Sequence, residues 1–121
     1  MTEYQNSKPY DLEDRTLEFA RNVRSFVKKL PKQIGNIEDG KQLIRASGSV
    51  GANYIEANEA LSKKDFIMRI KISRKEAKES RYWLRLVDTK EVPESQADRS
   101  ALVKEATELM NIFGSILQKC Q

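Results

Sequence analysis

Apolar residues recur three and four positions apart along nearly the whole chain, and the only prolines, Pro9, Pro31 and Pro93, fall in the gaps between these runs. A helix turns about 100° per residue, so this spacing gathers apolar side chains on one helical face. From about Asp11 to Lys29, the positions Leu12, Thr16, Phe19, Val23, Phe26 and Leu30 step 4-3-4-3-4. Leu30-Pro31 stops this first helix, because a residue before proline is pushed out of the helical region. Gly35 and Asn36 supply loop chemistry, which places the start of a second helix near Ile37 to Asp39. Ser62 with Asp65 three residues on matches a capping box in which Asp replaces Glu, and it opens a third helix. There Phe66, Ile70, Ser73, Ala77, Ser80, Leu84 and Val87 step 4-3-4-3-4-3. A turn over Asp88 to Pro93 follows. Ser95 with Asp98 repeats the start signal for a fourth helix, which carries Leu102, Ala106, Leu109, Phe113 and Ile116 inward. No stretch sustains period-two alternation. The expected fold is all-α, an up-down-up-down four-helix bundle over residues 10–121 after an N-terminal tail of residues 1–9.

The second helix contains "SGSVG", residues 47–51, which resembles a phosphate-cradling loop in composition. A phosphate loop would carry Lys-Ser/Thr after its second glycine and a strand before its first, and neither is present. The apolar face Leu43, Ser47, Val50, Tyr54, Ala57 and Leu61 instead runs straight through it. Ile44, Gly48, Gly51 and Ile55 form a neighbouring edge, spaced +4, +3, +4. Glycine inside a helix costs roughly 1 kcal/mol against alanine, so two of them imply the close approach of another backbone, in this subunit or the next. The fourth helix has a comparable second edge, Val103, Met110 and Leu117, every seventh residue. Two helices with an extra edge point to self-association; a wide core face is the alternative for the fourth helix.

The chain has 121 residues, no histidine and one cysteine, Cys120. The usual zinc and haem ligands are therefore missing, as is the commonest general base, and no internal disulfide can form. Carboxylate catalysis stays formally open, but no positioned acid–base pair is visible. The expectation is a non-enzymatic protein without metal or cofactor. No apolar run approaches the ~20 residues of a membrane span and no signal core is present, so a cytoplasmic location without membrane contact is expected.

Charge is unevenly placed. Between Lys63 and Lys90 stand ten Lys/Arg against four acids, on a chain whose net charge is only +4. Within this segment Lys71, Arg74, Lys78, Arg81 and Arg85 step 3-4-3-4 and fall within about 80° of one another on a helix. Such a line can track the phosphates of RNA or DNA by shape and charge; the alternative is a solvated face or a set of ion pairs to other helices. On the opposite flank, Asn53, Glu56, Arg69, Glu76 and Glu79 are expected to form a polar network between the second and third helices. A carboxylate metal site in a bundle would normally add Glu-x-x-His, and no histidine is present.

The run Ser49-Val50-Gly51-Ala52-Asn53-Tyr54, the pair Glu56-Ala57, Ser62-Lys63-Lys64-Asp65-Phe66, Lys75-Glu76-Ala77 and Tyr82-Trp83-Leu84 together resemble the central signature of the bacterial four helix bundle protein family. Members of that family include proteins encoded in intervening sequences of 23S rRNA genes. The resemblance spans roughly Tyr10 to Leu117; the density of Arg and Lys on the third helix departs from the family's usual pattern. It implies a left-handed bundle that assembles as a ring, usually a homopentamer. It also implies a distant relation to the accessory subunit of diversity-generating retroelements, which binds nucleic acid and a reverse transcriptase. The partners so implied are further copies of the chain, RNA or DNA, and a reverse transcriptase or another protein. The family carries no established activity, so no catalytic residues follow from it. A protein-interaction ring without nucleic-acid binding is the alternative reading.

Overall fold

A computed structural model describes residues 11–121; the tail expected over residues 1–9 lies outside them. The described residues form four helices, α1 (Leu12–Lys28), α2 (Ile34–Asn58), α3 (Lys63–Leu86) and α4 (Pro93–Lys119). They pack in a square: α1 against α2, α2 against α3, α3 against α4, and α4 back against α1. The diagonal pairs do not touch along their backbones. Each neighbouring pair runs antiparallel. Asn58 meets Glu13 at one end of the α1/α2 pair, while Val27 faces Gly40 at the other. Asn53 meets Arg69 and Asn36 meets Asp88 across the second and third helices. The topology is thus up-down-up-down, as the short connections require.

The inward faces follow the apolar rhythm. Phe19, Val23 and Phe26 of α1, Leu43 and Val50 of α2, Ile70, Ala77 and Leu84 of α3, and Leu109 and Phe113 of α4 make one core. Tyr54 joins it at the rim, its ring 6.0 Å from that of Phe113 and tilted by 49°. Small hydroxyl residues thin the core where α2 meets α3. Ser73 donates to the carbonyl of Val50 at 2.9 Å, and Ser80 satisfies itself on the carbonyl of Glu76 at 2.8 Å. Buried hydroxyls with partners avoid the penalty of unmet polar groups and let the backbones approach.

Three boundaries differ from the expectation. Helix α2 begins at Ile34, not near Ile37, so Gly35 and Asn36 are helical rather than loop residues. Asn36 is buried there. Its Nδ2 donates to the carbonyls of Pro31 (3.0 Å) and Asp88 (2.8 Å), and its Oδ1 accepts from the Asp88 amide (2.9 Å). One side chain therefore fastens the α1–α2 turn to the α3–α4 turn. Helix α2 also ends at Asn58, so Leu61 does not continue the apolar face; it is 97% exposed in the turn. Helix α4 starts at Pro93, two residues before Ser95, because proline suits the first helical position and has no amide to leave unpaired. Ser95 is buried inside it. The Ser62 cap forms as expected, its hydroxyl accepting from the Asp65 amide at 3.1 Å. The α3–α4 turn holds Lys90 and Glu91 in the left-handed region, at φ 55° and 58°. Side chains of Asp88 and Thr89 accept from the amides of Lys90 and Glu91 and brace that conformation.

Candidate nucleic-acid interface

Helix α3 separates its charges. Glu76 and Glu79 sit about 140–200° round the helix from Arg74, which turns them toward α2 and away from Arg74, Lys78 and Arg81 on the α4 side. Lys71, Arg74, Lys78 and Arg85 are exposed, and Arg81 is half-buried with its guanidinium donating to Oγ1 of Thr107 at 3.2 Å. None of the five has a carboxylate within ion-pair distance among the described residues. The line from Lys71 to Arg85 is about 21 Å long at a rise of about 1.5 Å per residue.

Beside this line runs an open groove of about 440 Å³ between α3 and α4, with Lys71, Arg74, Lys75 and Lys78 on one wall and Met110 and Leu117 on the other. Gly114 thins α4 at this point. The Arg74 guanidinium lies across it, Nε 3.8 Å from where a Cβ would stand. Val103, Met110 and Leu117 are half-buried and pack against the core from this side. The second edge of α4 is therefore covered in part by its own subunit.

The edge on α2 divides. A Cβ on Gly51 would stand 2.7 Å from Oγ1 of Thr16, so the close approach there is made by α1 of the same chain. Around Gly48 nothing lies within 4 Å. Ile44 is half-buried and Ile55 is 47% exposed, so Ile44, Gly48 and Ile55 present an open apolar edge on the α1/α2 side of the bundle.

The polar network between α2 and α3 forms as two separate clusters. Arg69 donates to Oδ1 of Asn53 at 2.9 Å. Further along, Arg45 bridges Glu79 and Glu76, standing 3.4 Å from Oε1 of Glu76, and the Trp83 indole donates to Glu79 at 3.3 Å. Glu76 is buried, and its Oε1 has no hydrogen bond. Desolvation opposes the charge on Arg45, but the fields of Glu76 and Glu79 outweigh it and raise its pKa. Glu56 takes no part: it is exposed, one helical step of three residues carrying it about 60° past Asn53 into solvent.

One cluster had no signal in the sequence. Arg15 of α1 donates to both oxygens of Glu105 at 2.8 Å and to Glu108 of α4 at 2.8 Å. The hydrogen bonds from Arg15 to Glu105 are the main cause of its raised pKa. Its partners lie about ninety positions away in sequence, where no local pattern reaches. Around it opens a groove of about 700 Å³ between α1 and α4, walled by Asp11, Asp14, Glu18, Glu105 and Glu108 and floored by Phe19 and Leu102. Among the described residues no group of His, Cys, Asp and Glu is arranged to hold a metal ion, and no helix is long and apolar enough to cross a membrane.

The sequence profile of the 23S rRNA-intervening sequence proteins matches residues 9–115. Among solved structures, a protein of unknown function from the S23 ribosomal protein family of Bacteroides thetaiotaomicron superposes with a TM-score of 0.74 at 32% identity. The alignment covers 88% of this chain and 98% of that one. No curated protein matches.

Proposed function

The chain belongs to the 23S rRNA-intervening sequence protein family, and from that premise we propose that it is a non-enzymatic, self-associating helical scaffold that binds the backbone of RNA or DNA through α3. The observation that carries this reading is the line of Lys71, Arg74, Lys78, Arg81 and Arg85, which finds no carboxylate among the described residues although the chain carries eighteen acids. Four of the five, Lys71, Arg74, Lys78 and Arg85, face solvent, and Glu76 and Glu79 of their own helix are turned away from them. Phosphate contacts release counterions, and copies joined in one particle add their weak contacts together. Self-association is supported by the open edge of Ile44, Gly48 and Ile55, which the subunit leaves uncovered.

The test is fluorescence anisotropy of labelled RNA and DNA with the full chain. Binding is expected to weaken steeply between about 50 and 200 mM salt. The variant Arg74→Glu/Lys78→Glu is expected to lose it while keeping its helical signal and its mass in light scattering. Arg81 is left intact because its bond to Thr107 makes it part of the packing. Absence of binding at low salt by an assembled, folded chain overturns the nucleic-acid reading and leaves a protein-docking ring.

A further inference from the structure

Helix α3 turns one aromatic side chain outward among its cations. Tyr82 is 59% exposed and lies about 160° round the helix from buried Leu84. It shares that face with four exposed cations: Lys71, Lys75, Lys78, Tyr82 and Arg85 step 4-3-4-3 and fall within about 80° of one another. None of these four cations has a carboxylate within ion-pair distance among the described residues. The nearest acid on the helix, Glu79, is drawn the other way, to Arg45 and the Trp83 indole. Trp83 also holds the tyrosine. The two rings meet edge-on, their centroids 5.0 Å apart and their planes at 79°. Trp83 is half-buried and tied to Glu79 at 3.3 Å, so Tyr82 leans on a side chain that is itself fixed. A ring propped in this way gives up little freedom when a flat partner settles on it.

We propose that α3 takes a single strand of RNA or DNA in preference to a duplex, with a base stacked on Tyr82 and the flanking phosphates on Lys78 and Arg85. This rests on the nucleic-acid reading above and names the form of its ligand. Lys78 and Arg85 stand about one helical turn before and after Tyr82, so cations lie on both sides of the ring. Every base has a flat face that an aromatic ring can cover, and such stacking is indifferent to sequence. In a duplex those faces are stacked on one another, and freeing one costs energy. A duplex therefore gains from the cations alone, whereas a single strand gains from the cations and the ring together. The phenol is neutral at ordinary pH, so it adds contact area between the cations without repelling phosphate. On the α4 side of Lys71 and Lys78, Met110 and Leu117 wall the groove with further apolar surface, where a neighbouring unpaired base is sheltered from water.

Titration of the full chain with labelled oligo(U), oligo(dT) and a duplex of the same length tests this, at one low salt concentration and then across a salt series. At least one single strand is expected to bind more tightly than the duplex, and the tighter of the two identifies the sugar. Tyr82→Ala is expected to weaken the single strand on the order of tenfold, the usual effect of losing one stacked base, and to leave duplex binding unchanged. Tyr82→Phe keeps the ring and is expected to bind as the parent does. The slope of log affinity against log salt should not change in Tyr82→Ala, which loses no phosphate contact, but should fall in Lys78→Glu, which does. Duplex bound as tightly as both single strands overturns the proposal, as does parental affinity for the single strand in Tyr82→Ala. A loss in Tyr82→Phe equal to that in Tyr82→Ala shows that the hydroxyl rather than the ring is used, and overturns it too. A changed mass of Tyr82→Ala in light scattering places the ring between copies of the chain, with the same consequence. No binding of any of the three at low salt removes the nucleic-acid reading itself.

Discussion

Gly51 of α2 stands against Thr16 of α1 so closely that a Cβ would fall 2.7 Å from the threonine Oγ1 and 3.1 Å from its Cβ. Thr16 is buried, and its hydroxyl is engaged with the carbonyl of Leu12 at 2.7 Å, so it cannot yield without losing that bond. The second glycine of "SGSVG" therefore exists to let α1 in. The first, Gly48, faces open space within the subunit.

The two glycines should respond differently to alanine. Gly51→Ala overpacks a rigid contact and is expected to destabilise the subunit by about 1–3 kcal/mol, less the gain of about 1 kcal/mol in helix propensity. Gly48→Ala meets nothing and is expected to be neutral or stabilising by up to about 1 kcal/mol. Urea denaturation of the pair checks this; equal effects would show that the α1–α2 approach at Gly51 is slack.

Asn36 ties two turns together through three hydrogen bonds. Asn36→Ala removes bonds worth about 1 kcal/mol each and leaves buried partners unmet, for an expected loss of about 2–4 kcal/mol. Thermal unfolding measures it. Exchange of the Asp88 amide should also quicken, because its proton is held by the Asn36 oxygen.

Arg45 is the only cation near buried Glu76 among the described ion pairs. Arg45→Ala strands that carboxylate; with Arg45 about half exposed, the expected cost is about 1–2 kcal/mol after solvent screening. Arg45→Met/Glu76→Leu removes both charges and is expected to recover most of the loss. A double variant no more stable than Arg45→Ala would show that the pair holds α2 and α3 in register.

Acid sensitivity should have a contribution from Asp88. The Lys90 amide, and then the Gln33 side chain, donate to its carboxylate and hold its pKa below the ordinary 3.8. A folded-state pKa below the unfolded one means that the native chain binds fewer protons there. The contribution is present above about pH 4 and is lost as pH falls through the depressed value. Asp88→Asn is expected to flatten the fall in urea midpoint between about pH 5 and 3 relative to the parent. An unchanged slope would show that other carboxylates account for it.

Helix number, order and inward faces were legible in the sequence because they depend on periodicity alone. The steps Phe19-Val23-Phe26 and Ile70-Ser73-Ala77-Ser80-Leu84 predict their own burial at any crossing angle. The line Lys71–Arg85 was legible for the same reason, being one face of one helix. Boundaries were less so. Leu61 kept the rhythm but lies beyond the last hydrogen-bonded turn of α2, and Asn36 looked like a loop residue because its partner, Asp88, is fifty-two positions away.

What the sequence determined by itself is which residues share a helical face, a local property set by about 100° per residue. Which faces meet was decided only when four helices packed in a square. That packing gave Gly51 to Thr16 and left Gly48 open. It turned Glu76 and Glu79 to Arg45, leaving the α3 cations without acids among the described residues. It also brought Arg15 to Glu105 and Glu108, so that carboxylates scattered over two ends of the chain became the walls of one groove. Charge along a chain is one-dimensional; its neutralisation depends on distance in space, and only the tertiary structure supplies that.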